Sequence, residues 1–142
     1  IPLIKNMKNK KNSYRFEIFE GNEGLNHVLD ETINEMKNNE EICGLGIEMK
    51  NIGLLHKYHK KRTTKHIKQR FIFSNKNLKW TDYEGKESRI IPNITNIGIG
   101  ISDNKIIISS LGKQPVTLII EHPEFNKSFK QIFEKLWSVA EK

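Results

Sequence analysis

Glu41-Ile42-Cys43-Gly44-Leu45-Gly46-Ile47 and Ile67-Lys68-Gln69-Arg70-Phe71-Ile72-Phe73-Ser74 are the two runs whose reading decides the fold. The first is short and almost continuously apolar, the pattern of a strand covered on both faces. Gly44 and Gly46 leave one of those faces nearly bare, so something is expected to approach the backbone closely there. The second run is rich in aromatic and branched residues and reads as another strand. Between them, Asn51 to Lys65 is helical in character, with Ile52, Leu55 and Tyr58 on its buried face. Upstream, Tyr14 to Phe19 alternates apolar and polar residues until Gly21-Asn22. Leu25, Val28, Leu29, Ile33 and Met36 then form a helical stripe, with Asp30, Glu31, Asn34 and Glu35 opposite, and Asn38-Asn39 end it. Strand, helix, strand, helix, strand predicts an α/β fold: a mixed sheet whose parallel part is flanked by helices, joined by right-handed crossovers.

Residues 75–92 are polar and without a strong period, with Trp80 and Tyr83 expected to pin them to the body. Three further strands follow at Asn96–Ser102, Lys105–Ser110 and Val116–Glu121, antiparallel to one another. Asp103-Asn104 marks a tight turn, and Gly112 and Pro115 bound the next loop. The closing helix is the best marked. Pro123 suits a first helical turn. Phe125, Phe129, Ile132, Phe133, Leu136, Trp137 and Ala140 make a wide apolar stripe that must cover a sheet or a partner.

A chain of 142 residues suits one domain. Residues 1–13 hold four lysines and no acid, and read as a linker or tail before a single domain over 14–142. Beginning at Ile1, the sequence reads as a fragment or a processed chain, without the pattern of a signal peptide. No apolar run approaches a membrane span, so no membrane contact is expected. Cys43 is the lone cysteine, which excludes an internal disulfide and fits a cytoplasmic location; it reads as a small buried hydrophobe. The net charge of +7 attracts acidic partners in general, but abundant Lys, Asn and Ile together also reflect base composition.

The most charged segment, His56 to Arg70, holds Lys57, Lys60, Lys61, Arg62, Lys65, Lys68 and Arg70 and no acid. It reads as a solvated helix face, with a phosphate or nucleic-acid patch as the alternative. Lys57, Lys61 and Lys65 share an exposed row, while His59 and Arg62 sit beside the buried stripe and are the better binding candidates. The His56/His59 and His59/His66 pairs have no nearby carboxylate to complete a metal set, so no metal and no cofactor are expected. No nucleophile elbow and no phosphate-binding loop occur. Gly98-Ile99-Gly100 lies within a strand, which excludes a dinucleotide fingerprint.

The chain resembles the C-terminal, phospholipase-D-like domain of archaeal TrmB-type transcriptional regulators over roughly residues 14–141. The resemblance rests on the strands around Asp103 and Lys105, on Val116–Glu121 leading into the helix, and above all on Phe129-Lys130-Gln131-Ile132-Phe133-Glu134-Lys135-Leu136-Trp137. His59-Lys60-Lys61-Arg62 followed by Ile67–Phe73 also fits. Phospholipase D enzymes carry His-x-Lys-x-x-x-x-Asp at the strand placed here at 96–103. The matching residues are Asn96, Gly98 and Asp103. Asn96 is a poor nucleophile and Gly98 carries no charge for phosphate, so the departure argues against an enzyme and leaves Asp103 a turn residue.

The resemblance implies a non-catalytic effector-sensing or dimerising domain of a transcription regulator. DNA would be contacted only through a preceding winged-helix domain, and self-association as a homodimer is expected. A small-molecule effector would sit beyond the carboxyl ends of the parallel strands, in a pocket bounded by Gly44, Gly46, Glu48, His59, Arg62, Asn75 and Asn96. The alternatives are a nucleic-acid-binding domain using residues 56–70 and, behind it, a phosphodiesterase-like enzyme.

Overall fold

The computed structural model describes residues 6–9, 14–48, 52–76 and 84–142. In chain order the elements are β1 (Asn6–Asn9), β2 (Tyr14–Glu20), α1 (Gly21–Glu35), β3 (Glu41–Gly46), α2 (Ile52–Thr64), β4 (Lys68–Phe73), β5 (Lys86–Ile90), β6 (Gly98–Ile101), β7 (Ile106–Ser110), β8 (Val116–Glu121) and α3 (Pro123–Val139). Among the described residues the strands form one sheet of eight in the order β1-β2-β8-β7-β6-β3-β4-β5. β3, β4 and β5 run parallel, and every other pairing is antiparallel.

Three expectations change. β2 does not lie beside β3: it pairs with β8, so the β2–α1–β3 connection passes over β8, β7 and β6. The parallel unit is instead completed by β5, inside the stretch that showed no period. Its Lys86 and Arg89 contribute long side chains to the two sheet faces, so polar residues do the covering that apolar ones usually do. Lys86 lies over the Phe71 and Phe73 rings, and Arg89 lies 4.3 Å from the Trp137 ring centre. Asn6–Asn9, read as lead-in, pairs antiparallel with β2 as an edge strand. Trp80 and Tyr83 lie outside the described residues.

α1 and α2 cover one face of the sheet. Val28 meets Ile107 and Ile119, while Ile33 and Met36 meet Ile42, Tyr58 and Ile67. α3 covers the other face, where Phe133 and Trp137 pack on Cys43, Leu45, Ile72 and Ile101. Burying Phe133 alone contributes about 2–3 kcal/mol. The α3 start follows its sequence: Pro123 occupies the first turn, and the His122 side chain accepts a hydrogen bond from the Phe125 amide. The end of α3 is closed from the sheet, where Arg89 Nη1 donates to the Trp137 carbonyl at 2.7 Å. The apolar stripe of α3 is wider than the core needs. Phe125, Ile132 and Val139 remain 45%, 53% and 73% exposed.

Much of the basic segment serves the fold. α1 has no basic residue in its own last turn. Lys65, in the turn just after α2, supplies the charge, donating to the carbonyls of Ile33, Asn34 and Met36 at 2.8, 3.0 and 3.0 Å. Lys61 pairs with Asp30 at 2.8 Å, and Arg70 binds Glu41 and Glu134 beside the Phe133 and Trp137 rings. The row formed by Lys57, Lys61 and Lys65 is therefore solvated only in part. Lys57, Lys60 and Lys68 are the exposed lysines of the segment.

Candidate functional site

Four glycines face one another where β3 meets β6. Gly44 opposes Gly100, and Gly46 opposes Gly98, all on the face covered by α1 and α2. The bareness expected at Gly44 and Gly46 is thus doubled by the neighbouring strand. Three of the four positions are closed by other atoms. A Cβ at Gly44 would stand 2.6 Å from the Phe71 ring. One at Gly46, where φ is +98°, would stand 2.0 Å from the Ile97 carbonyl oxygen. One at Gly98 would stand 2.7 Å from the Ile47 carbonyl oxygen. Gly100 differs, because a Cβ there meets only the Ile107 Cβ at 3.9 Å. The open space belongs to a partly open cavity of about 90 Å³ between α1, α2 and the sheet. Its walls include Leu25, Leu29, Leu55, Phe71, Ile107 and Leu111, with Glu48, Tyr58, Gln69 and Ser109 as polar members.

Beside this cavity lies a buried charged network. Glu48 follows β3, His59 and Arg62 stand one turn apart on α2, and Lys86 opens β5. Glu48, His59 and Arg62 are 7%, 0% and 0% exposed, and Glu48 forms an ion pair with Lys86. His59 Nε2 is 3.7 Å from Glu48 Oε2, while Arg62 Nε donates to His59 Nδ1 at 3.0 Å. The second bond makes Nδ1 an acceptor, so a neutral His59 carries its proton on Nε2, facing the carboxylate. The rest of the Arg62 guanidinium donates to the carbonyls of Ile67 and Glu84 at 2.6 and 2.8 Å. It thereby ties the turn after α2 to the start of β5.

The charge states follow from these surroundings. Burial alone would raise the Glu48 carboxyl, but the contacts from His59 and Lys86 outweigh it and hold it below the ordinary carboxylate range. Burial lowers His59, with the Arg62 charge adding to the shift and Glu48 opposing it. Burial likewise lowers Arg62 and raises the phenol of Tyr58. Cys43 is buried and free, and burial pushes its thiol up to about 11.

The structure distributes the seven sequence-selected residues over three places. Glu48, His59 and Arg62 come together in the network. Gly44 and Glu48 line the cavity next to it, and Gly46 is backed by Ile97. Asn75 and Asn96 are exposed on segments joined by Ser74 and Thr95, with Ser74 Oγ donating to the Thr95 carbonyl at 2.6 Å. Lys86 and Gln69 were not anticipated. Each stands among polar neighbours in sequence, and only strand pairing brings them beneath α2. Asp103 is exposed in the β6–β7 turn. Among the described residues no three His, Cys, Asp or Glu side chains are grouped to hold a metal ion.

The fold is shared with solved structures of low sequence identity. A phospholipase D family member, Nuc from Salmonella typhimurium, matches with a TM-score of 0.69 at 10% identity, over 89% of this chain and 96% of its own. NucT from Helicobacter pylori matches at 0.67 and 13% identity, over 89% of this chain and 98% of its own. TrmBL2, an archaeal chromatin protein with a novel mode of DNA binding, matches at 0.63 and 19% identity. That match covers 99% of this chain and 57% of TrmBL2. No family model and no curated protein matches the sequence. The chain has a phospholipase-D-like fold, with a mixed sheet and a long C-terminal amphipathic helix, and it is similar in that fold to a domain-sized part of TrmBL2.

Proposed function

We propose that this chain is a non-catalytic regulatory domain, one that senses an effector and self-associates within a TrmB-like transcription regulator. The observation that carries the reading is the packing at Gly98. In the phospholipase D pattern this position supplies the lysine that balances phosphate charge. Here the Ile47 carbonyl oxygen lies 2.7 Å from where even a Cβ would be. Asn96, at the histidine position, is exposed on a loop. The site has therefore lost its nucleophile, its cation and the room for that cation. The likeness over nearly the whole chain to TrmBL2, an archaeal chromatin protein that binds DNA, supports a DNA-associated setting.

Self-association draws on α3, where Phe125, Ile132 and Val139 recur every seven residues and remain exposed. Light scattering tests this part, with Ile132→Glu expected to shift a dimer to monomer. Hydrolysis of bis(4-nitrophenyl) phosphate tests the central claim. Turnover above buffer by the unmodified chain would overturn it, and none is expected. A thermal-shift screen of sugars, nucleotides and phosphates then looks for the effector through stabilisation by mass action.

A second reading has one observation in its favour, the likeness to a DNA-binding chromatin protein. Lys57, Lys60 and Lys68 are the exposed lysines of the basic segment and would carry such binding. Affinity for duplex DNA that falls steeply with salt, and that is lost when these three become glutamine, would favour it.

A further inference from the structure

We propose that His59 and Arg62 form a proton-operated latch. Neutral His59 holds the Arg62 guanidinium on the backbone at Glu84 and Gly85, and protonation of His59 releases the start of β5 from α2 while the rest of the fold stays closed. The inference goes beyond the effector reading above and does not depend on it, because the ligand here is the proton itself.

Hydrogen-bond direction carries the argument. Arg62 Nε can only donate, and it points at His59 Nδ1 from 3.0 Å. That nitrogen must keep its lone pair for the contact to exist. The same guanidinium donates through Nη1 to the Ile67 carbonyl at 2.6 Å and the Gly85 carbonyl at 3.5 Å, and through Nη2 to the Glu84 carbonyl at 2.8 Å. The fork is planar and rigid, so one displacement loosens every bond it makes. A proton added to Nδ1 sets two N–H groups and two positive charges face to face. Both side chains are 0% exposed, where little solvent screens the repulsion. One of the two must move, and moving the fork gives up the carbonyls at 84 and 85.

The neighbouring charges set the direction of the switch. From the end of β3, Glu48 Oε2 stands 3.7 Å from His59 Nε2 and favours a charged ring. Arg62 on α2 and Lys86 on β5 oppose it, and Lys86 is itself paired with Glu48. Tyr58 on α2 lies with its ring centre 4.9 Å from the imidazole, and burial keeps its phenol protonated and uncharged. Glu84, at the latched end, acts on Arg62 and favours its charge. Burial and the two cations outweigh Glu48, so the closed state holds His59 below its ordinary 6.5. An open latch returns the ring toward that value. Opening therefore takes up a proton, and its equilibrium constant rises by up to about tenfold per pH unit as pH falls from about 6.5 to the closed-state pKa.

The test is NMR of the full chain from roughly pH 7.5 down to 4.5, with long-range proton–nitrogen spectra of the His59 ring. At neutral pH the ring should carry its proton on Nε2. On acidification the amides of Gly85, Lys86 and Gln69, whose N–H donates to the Gly85 carbonyl at 2.9 Å, should shift together with His59 at one midpoint below 6.5. Amides of Val28 and Phe133, in the two core layers, should stay fixed. His59→Asn places a carbonyl oxygen near the Nδ1 position and cannot titrate, so it should keep the latch closed and abolish the common transition. An Nδ1-protonated ring at neutral pH, a His59 titration that leaves 85 and 86 unmoved, or a transition that persists in His59→Asn would overturn the latch. A midpoint shared with Val28 and Phe133 would overturn it too, since the event would then be global unfolding. Should the asparagine variant not fold, the ring tautomer and the co-titration in the parent chain decide the matter alone.

Discussion

Replacing Gly100 and Gly46 by alanine, one at a time, should move stability in opposite directions. At Gly100 the new methyl enters a cavity and meets nothing closer than 3.9 Å. Burying one methyl contributes about 0.8 kcal/mol. Removing glycine's freedom from the unfolded chain adds roughly 0.4–1 kcal/mol where the backbone angles suit alanine. No left-handed φ is recorded at Gly100, so they do. Gly100→Ala should therefore stabilise by roughly 1–2 kcal/mol and raise Tm by roughly 3–8 °C for a domain of this size. At Gly46 the same methyl would lie 2.0 Å from the Ile97 carbonyl, on a backbone at φ +98°. Strain and overpacking both apply there, and a loss of about 3 kcal/mol or more is expected. Urea unfolding followed by Trp fluorescence and far-UV dichroism measures both, and a constant m-value would show that the native state is what changed. A destabilised Gly100→Ala, or a Gly46→Ala within about 0.5 kcal/mol of the parent, would refute the packing argument for these glycines.

Three further outcomes follow from the buried charges and the lost motif. Lys105, whose side chain is 1% exposed, holds Glu31 and Glu35 at 2.7 Å each; Lys105→Ala should cost about 2 kcal/mol in urea unfolding, less than a fully buried pair because both acids reach solvent. His59 is held below its ordinary value of 6.5 in the folded state, so the unfolded chain takes up its proton first. Its contribution is complete above about pH 6.5 and is lost as pH falls toward the folded pKa, with a slope of at most about 1.4 kcal/mol per pH unit. A Tm series against pH should show this, and His59→Gln should flatten the decline between pH 6.5 and the carboxylate range, where Glu48 and Glu31 take over below 4.5. Asn96→His with Gly98→Lys restores the phospholipase D letters but not the space. The double variant should remain inactive on bis(4-nitrophenyl) phosphate and lose about 1–3 kcal/mol of stability from the collision with Ile47.

What the sequence determined by itself is what depends on neighbours along the chain. The α1 stripe from Leu25 to Met36, the buried run at 41–47, the turn at Asp103-Asn104 and the α3 stripe with Pro123 at its start are all local patterns. Each was legible because period and length report directly which faces meet water. The pairing of His59 with Arg62 was also legible, since residues three apart on a helix share a face. Tertiary structure decided the rest. The antiparallel partner of β2 lies about a hundred residues away at β8, and no local period encodes which edge a strand joins. β5 was hidden because Lys86 and Arg89 cover the two sheet faces with long polar side chains. Lys61, Lys65 and Arg70 read as solvated charges until α1 and α3 supplied their partners. The site depended most on the third dimension. Four glycines in two separate runs look alike in sequence, and only the close approach of Phe71, Ile97 and Ile47 to three of them, against nothing nearer than the Ile107 Cβ at 3.9 Å at Gly100, sets one apart beside a cavity.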